Sequence, residues 1–266
     1  MPASSPAADP SPPPIWAAGQ HHPSPRSGPP RLACSILVAL RAVRLRLGLC
    51  LVCLAAGAAW ASGPEGLPVC VVRQADETVE AAIRRHPAGP EELLARLALA
   101  EGISTGFGQD PLVYRGIAWG VMNRVRLAEV SPQMRQRFGQ GIAGVIFRRG
   151  QFNPAISPRS PFAKDFLCPR DPQRWRLAVQ AAVQANAGDA NPLIQTEWER
   201  TQGISLVVNF YYPRSTQAKG PLAPWEASPG LAFIGPVEID GQVLGAERIR
   251  FYRLSRPPAD LSGRKR

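Results

Sequence analysis

The stretch from Pro90 to Gly108 constrains the fold most, because it reads as an amphipathic helix with one carboxylate on its apolar face. Pro90 suits the first helical position, and acidic residues in the first turn suit the positive end of the helix dipole. Four apolar residues precede Glu101 at helical spacing and share its side of the helix: Leu93, Leu94, Leu97 and Ala98. We therefore predict that Glu101 faces the core with a raised pKa. Gly102 is predicted to end the helix, and the alternative is a half-exposed, hydrated Glu101 at that terminus.

Residues 1–61 read as a tail and an export signal rather than as part of a folded core. Residues 1–30 are rich in Pro, Ser, Ala and Gly and are predicted to be a disordered tail. Residues 31–61 place arginines before an apolar run that closes with Ala59-Trp60-Ala61, which is the layout of a secretory signal peptide. The alternatives are cleavage near Ser62 and an uncleaved anchor through residues 32–61. Both predict an exported protein of the periplasm or cell envelope, either free or anchored in the inner membrane.

The cysteines and the charge of the remaining chain fit export. From Ser62 onward the cysteines are Cys70 and Cys168, and we expect them to form a disulfide, the alternative being two buried thiols. The same residues include 26 Lys and Arg against 19 Asp and Glu, a net charge of +7. Such an excess favours a polyanionic partner. For an exported chain an anionic cell-wall polymer is a better candidate than a membrane surface, and nucleic acid is not expected.

The order of predicted elements indicates an α+β fold, with a mainly helical core and a small antiparallel β-sheet toward the C-terminus. Residues 62–88 are predicted to be a leader with a short strand at Val69–Arg73 and a short helix at Glu77–Arg85. Residues 89–255 form the predicted domain, and residues 256–266 a basic flexible tail. Three pairs of a capping residue and a proline predict the starts of further helices: Asp110-Pro111, Ser131-Pro132 and Asp171-Pro172. The pair Asp240-Gly241 predicts the turn of a β-hairpin.

Histidine content removes several kinds of catalysis. The three histidines are His21, His22 and His86, and none lies in the predicted domain. A nucleophile activated by His and a zinc site built on His are therefore excluded. The sequence also lacks a phosphate-binding or dinucleotide-binding glycine motif, so no metal or cofactor is expected. Carboxylate chemistry remains, and one acid suffices to break a sugar bond if the substrate supplies its own nucleophile.

Four short motifs in order give the chain a resemblance to a known family. They are Leu97–Glu101, Gly116–Val125, Gly144–Phe152 and Asn209–Pro213, with Trp225 beyond them. In this order they resemble the SleB-like cell wall hydrolases, the family of the spore cortex-lytic enzyme. The resemblance implies a lysozyme-like catalytic domain, similar to that of lytic transglycosylases, that cleaves the glycan strands of peptidoglycan. It also implies that Glu101 is the catalytic acid and base, and that a muramyl 6-hydroxyl closes on C1 to give a 1,6-anhydro end.

Seven further residues are candidates for substrate binding. Tyr211 and Tyr212 are adjacent in a predicted strand, so we expect only one of them to steady the developing charge or orient Glu101. Phe152 and Trp225 are either sugar platforms or packed aromatics. Asn123, on the helix predicted to begin at Asp110-Pro111, either contacts substrate or is solvated. Gln151 and Asn153 are the remaining two candidates. The loop after Glu101 is longer than in the family, which keeps open a non-catalytic wall-binding or scaffold function.

Overall fold

The computed structural model describes residues 66–262 except Pro87 and Asp189, and in this part the chain forms nine helices followed by five strands. The predicted tail and export signal lie outside the described residues. The helices are α1 Val79–Arg85, α2 Pro90–Ser104, α3 Pro111–Val130, α4 Pro132–Phe138, α5 Gly141–Ile146, α6 Asn153–Ile156, α7 Ala163–Leu167, α8 Pro172–Ala187 and α9 Glu197–Gln202. The strands are β1 Val207–Tyr211, β2 Leu231–Phe233, β3 Val237–Ile239, β4 Gln242–Leu244 and β5 Arg250–Leu254.

Helices α2, α3 and α8 form the centre of the core, and their starts follow from the sequence. Asp110 accepts a hydrogen bond from the backbone N–H of Leu112 and so caps α3, whose first residue is a proline. Asp171 caps α8 in the same way, through the N–H groups of Gln173 and Arg174. Because α3 packs against other elements on most of its surface, even its polar residues Asn123 and Arg124 are buried.

Gly102 does not end α2, contrary to the sequence prediction. The helix continues to Ser104, so Glu101 lies inside it rather than at its terminus. A Cβ atom at Gly102 would lie 2.6 Å from Cε1 of Tyr114 on α3. The glycine therefore allows α2 and α3 to approach closely, with the Tyr114 ring filling the space where a side chain would stand.

The strands form two small antiparallel sheets, which confirms the predicted α+β class. In the larger sheet β5 lies between β1 and β2, and Phe210 is paired with Phe251. The hairpin of β3 and β4 turns at Asp240 and Gly241, which both have positive φ, as an Asp-Gly hairpin turn requires. No helix among residues 66–262 has the length and apolarity to cross a bilayer.

The leader packs on the helical core, although it lacks the predicted strand at Val69–Arg73. The predicted disulfide between Cys70 and Cys168 is present. Buried Arg96 on α2 donates hydrogen bonds to the carbonyl oxygens of Val69 and Leu167, so polar contacts also join α2 to the two segments that the disulfide links. The backbone N–H of Val71 also donates to the carbonyl oxygen of Leu167 over 2.9 Å, so the leader is held to the end of α7 without forming a strand.

The first part of the predicted flexible tail also packs on the core. Leu261 is buried, and the Ser131 hydroxyl donates a hydrogen bond to the Asp260 carboxylate over 2.8 Å. The tail prediction is therefore wrong up to Ser262, and residues 263–266 lie outside the described part.

Candidate active site

Helix α2 places Glu101 at the inner end of a cleft. The leucines at the predicted spacings are buried, and Glu101 is itself only 7% exposed. That remaining surface opens on two cavities, because Glu101 lines both of them. The position agrees with the predicted core-facing orientation and excludes the half-exposed alternative.

The two cavities adjoin and share five residues besides Glu101. The inner cavity has a volume of about 180 Å³ and extends toward Arg124, Arg137 and Phe138. The outer cavity has a volume of about 290 Å³ and extends toward Ser104, Asn153 and Ser215. The shared residues are Gly150, Gln151, Phe210, Tyr212 and Trp225. A chain-like ligand that occupies both cavities would therefore cross the Glu101 carboxyl.

Burial raises the pKa of Glu101 to about 7, because the charged carboxylate loses its hydration there. The Tyr212 hydroxyl and the charge of Arg124 act in the opposite direction and limit the shift. Near neutral pH the carboxyl therefore exists in both protonation states, as a group that first donates and then accepts a proton requires.

Arg124 is a site residue that the sequence analysis did not identify. Its Nε donates to the carbonyl oxygen of Val208 over 2.5 Å, and its Nη1 donates to Oε1 of Gln151 over 2.6 Å. The guanidinium carbon lies 4.8 Å from the centroid of the Phe152 ring. The helical spacing could have indicated that Arg124 is buried. Arg124 follows Ile117 by seven residues and Val121 by three, so it lies on the same side of the helix as these buried residues.

Of the two adjacent tyrosines, Tyr212 is the one that contacts Glu101. Its hydroxyl is buried beside the carboxyl and makes no hydrogen bond of regular geometry with any described residue. Burial, followed by the charge of Glu101, raises the pKa of Tyr212 well above its ordinary value. The Tyr211 hydroxyl instead donates to the carbonyl oxygen of Gly220 over 2.7 Å and shapes the loop at the rim of the outer cavity.

Trp225 forms a wall of both cavities and is held by an aromatic cluster. Its ring makes edge contacts with Tyr211 at 6.0 Å and with Tyr252 at 6.2 Å. The neighbouring Glu226 accepts hydrogen bonds from Arg250 and Tyr252, which fasten the loop to β5. Within the described part of the chain, Nε1 of Trp225 is buried without a hydrogen-bond partner. The tryptophan is therefore both packed and part of the cleft lining.

The structure also brings Gln151, Phe152 and Asn153 to the cleft. Phe152 is only 2% exposed and belongs to the core, with one part of its surface on the inner cavity. Gln151 lines both cavities, while Asn153 begins α6 and lines the outer one.

Both predictions made for Asn123 are wrong, because its side chain neither lines the cleft nor is exposed to solvent. It is fully buried; its Nδ2 donates to the carbonyl oxygen of Val207, and its Oδ1 accepts from Asn191. The asparagine therefore joins α3 to β1 and to the segment before α9. Its neighbour Arg124 does line the inner cavity.

Glu101 is the single carboxyl group among the described residues that line the two cavities. Residues 66–262, as far as they are described, contain no group of three His, Cys, Asp or Glu side chains placed to hold a metal ion. Comparisons of the chain with protein-family models, with curated proteins and with solved structures found no match.

Proposed function

We propose that this protein is an exported enzyme that cleaves the glycan strands of peptidoglycan, with Glu101 as both general acid and general base. The proposed reaction is that of a lytic transglycosylase, in a domain of lysozyme-like fold. The observation that carries the proposal is the single buried carboxyl, with a pKa of about 7, at the border of two adjoining cavities.

The lone carboxyl favours an intramolecular nucleophile over water. Glycosidases that use water or form a covalent intermediate normally place a second carboxylate within about 10 Å of the acid. The described lining of the cleft offers no such second group beside Glu101. A substrate hydroxyl that already lies near the reacting carbon needs less activation, because binding has oriented it.

In the proposed reaction, protonated Glu101 donates its proton to the glycosidic oxygen while the bond from that oxygen to C1 of the muramyl sugar breaks. The 6-hydroxyl oxygen of the same sugar then bonds to C1, and its proton passes to the Glu101 carboxylate. The products are a 1,6-anhydromuramyl end and a strand with a free hydroxyl, and Glu101 regains its acid form. Water is not consumed.

Arg124 and Tyr212 would act on Glu101 as positioning residues. The fixed charge of Arg124 and the Tyr212 hydroxyl both favour the carboxylate, which must exist after the first proton transfer. Without them, burial would hold the acid protonated more strongly and would slow proton donation. Trp225 and Gln151 would bind sugar rings and hydroxyls on either side of the broken bond.

Mass spectrometry of fragments released from purified peptidoglycan tests the proposal. The full chain is compared with Glu101→Gln, which keeps the size of the side chain but cannot donate a proton as an acid. We expect anhydromuramyl ends from the unmutated chain and none from the variant. Reducing ends would instead mean a water nucleophile. Equal release by both proteins would remove Glu101 from catalysis, and wall binding without release would favour the non-catalytic wall-binding function.

A further inference from the structure

A third cavity, which the proposed reaction does not use, lies between α1 and the segment around α5. Its volume is about 650 Å³, larger than either cavity at Glu101. We call it the basic cavity; its lining residues are Glu80, Arg84, Gly139, Ala143, Gly144, Phe147, Arg148 and Arg149. Three of its four titratable side chains are arginines, so its charge favours an anionic ligand.

Two of these arginines retain a positive charge that the described protein does not neutralise. Arg84 forms an ion pair with Glu80, with 2.6 Å between Nη2 and Oε1, and these two charges largely offset each other. Arg148 donates one hydrogen bond to the carbonyl oxygen of Gln136 and keeps its other N–H groups available. Arg149 is exposed and makes no hydrogen bond or ion pair with the described residues. Guanidinium groups of this kind bind carboxylates through paired hydrogen bonds.

The rest of the lining is backbone and one aromatic ring. Gly139 has a φ of 98°, and a Cβ atom there would lie 2.2 Å from the carbonyl oxygen of Gly144. The glycines therefore leave this part of the cavity without side chains. Phe147 is half-buried and offers an apolar surface beside the arginines. The lining thus suits a carboxylate carried on a short chain with small apolar groups.

The basic cavity borders the inner cavity of the Glu101 cleft at two points of the chain. Phe138 lines the inner cavity and the next residue, Gly139, lines the basic cavity. Arg149 lines the basic cavity and Gly150 the inner one. Consecutive Cα atoms are about 3.8 Å apart, so at these two points the two linings are neighbours along the backbone.

We infer that the basic cavity binds the carboxylates of the peptide attached to the glycan strand that lies at Glu101. The inference rests on the proposed function, since it takes the strand to be peptidoglycan. A peptide of three to five residues extends roughly 10–18 Å, so its carboxylates lie well away from the sugar that carries it. Arg148 and Arg149 hold its carboxylates, and Phe147 packs against its small side chains.

Equilibrium co-sedimentation tests the inference independently of catalysis. The full chain with Glu101→Gln is titrated with peptidoglycan free of phosphate-bearing polymers, either with its peptides or after an amidase has removed them. We expect the peptides to strengthen binding about tenfold, since charge-assisted hydrogen bonds contribute that much. The double variant Arg148→Ala, Arg149→Ala should abolish this difference. The matched control is Arg170→Ala, Arg176→Ala, which removes the same charge at exposed residues outside the three cavities and should keep the difference.

The outcomes separate this inference from the proposed function. Binding that depends on the peptides and on Arg148 and Arg149 supports the inference, even if the unmutated chain releases no fragments. Equal binding to both substrates overturns it, even if anhydromuramyl ends are released. An equal loss of affinity in the two double variants also overturns it, because general charge attraction would then explain the binding.

Discussion

Arg124 donates a hydrogen bond from Nη1 to Oε1 of Gln151 across 2.6 Å, and this bond joins a buried positive charge to the wall of the cleft. A second bond, from Nε to the carbonyl oxygen of Val208, fixes the guanidinium from the other side. Burial, opposed by the charge of Glu101, lowers the pKa of Arg124 to about 10, so the group stays charged at neutral pH. The charge therefore acts on Glu101 from a fixed position.

Arg124→Met is predicted to shift the pH dependence of glycan cleavage. The charge of Arg124 lowers the pKa of Glu101, so its loss raises that pKa above about 7. Because the proposed reaction begins with protonated Glu101, the fall of activity on the alkaline side is expected at higher pH. We also expect the maximal rate to fall about tenfold or more, since the acid is weaker and less well placed.

The pH-rate profile of released fragments measures both effects. Arg126→Met on the same helix is the control, since Arg126 packs on Trp119 and donates to the carbonyl oxygen of Ala185. It should lower thermal stability and leave the alkaline limb in place. An alkaline limb that is the same in Arg124→Met and in the unmutated chain would contradict the prediction.

Glu101→Gln is predicted to stabilise the protein at alkaline pH. The folded pKa of about 7 lies above the usual value of 4.5, so the folded state binds a proton that the unfolded state releases between these values. Stability from this group is therefore complete below about pH 4.5 and is lost as the pH rises to about 7. Gln carries no charge and avoids the loss, which corresponds to about 3 kcal/mol.

Thermal unfolding at pH 4.5 and at pH 8.5 checks this sign. The melting temperature of the Glu101→Gln variant should equal that of the unmutated chain at pH 4.5 and be higher than it at pH 8.5. Glu238→Gln on β3, which changes an exposed carboxyl, should show no such dependence on pH. A Glu101→Gln protein that is less stable at pH 8.5 would mean that the carboxylate is favoured in the fold.

Gly102→Ala is predicted to lower stability even though alanine favours helices. The added Cβ would lie 2.6 Å from a carbon of the buried Tyr114 ring, so α2 and α3 must separate or the ring must move. Overpacking of this kind costs about 1–3 kcal/mol. Chemical denaturation measures the loss, and Gly230→Ala is the control, because the nearest atom there is 4.0 Å away. Equal stability of the two variants would exclude a tight contact at Gly102.

Asn123→Ala and Asn153→Ala are predicted to have opposite effects. The first leaves the carbonyl oxygen of Val207 without its buried donor, so we expect a loss of about 1–3 kcal/mol in unfolding free energy. Its folded fraction should cleave glycan strands at the normal rate. Asn153 is exposed and lines the outer cavity, so its loss should raise KM and leave the melting temperature unchanged. Thermal unfolding and fragment-release kinetics of both variants test the assignment, and a raised KM for Asn123→Ala would contradict it.

The element starts could be predicted from the sequence because local chemistry decides them. Asp110, Ser131 and Asp171 accept hydrogen bonds from the first turns of α3, α4 and α8, as their positions before proline indicated. Four short elements were missed: α6, α7, α9 and β2. Of these, α9 had a readable signal, because Thr196 and Glu199 form a capping box at its start. The end of α2 was also misplaced, since Gly102 serves packing against Tyr114 and not helix termination.

For the site, the sequence determined that Glu101 faces the core, because helical spacing alone places it among buried leucines. The tertiary structure decided which groups surround that carboxyl. Asn123 and Arg124 are adjacent on α3, and both donate hydrogen bonds to backbone carbonyl oxygens of β1. Only Arg124 also donates to Gln151 in the wall of the cleft, and of the two residues it alone lines the cleft. Such selection depends on contacts between residues more than 20 positions apart. Helical spacing indicates that Arg124 is buried, but it carries no information about those contacts, so the tertiary structure alone shows that this charge lies beside Glu101.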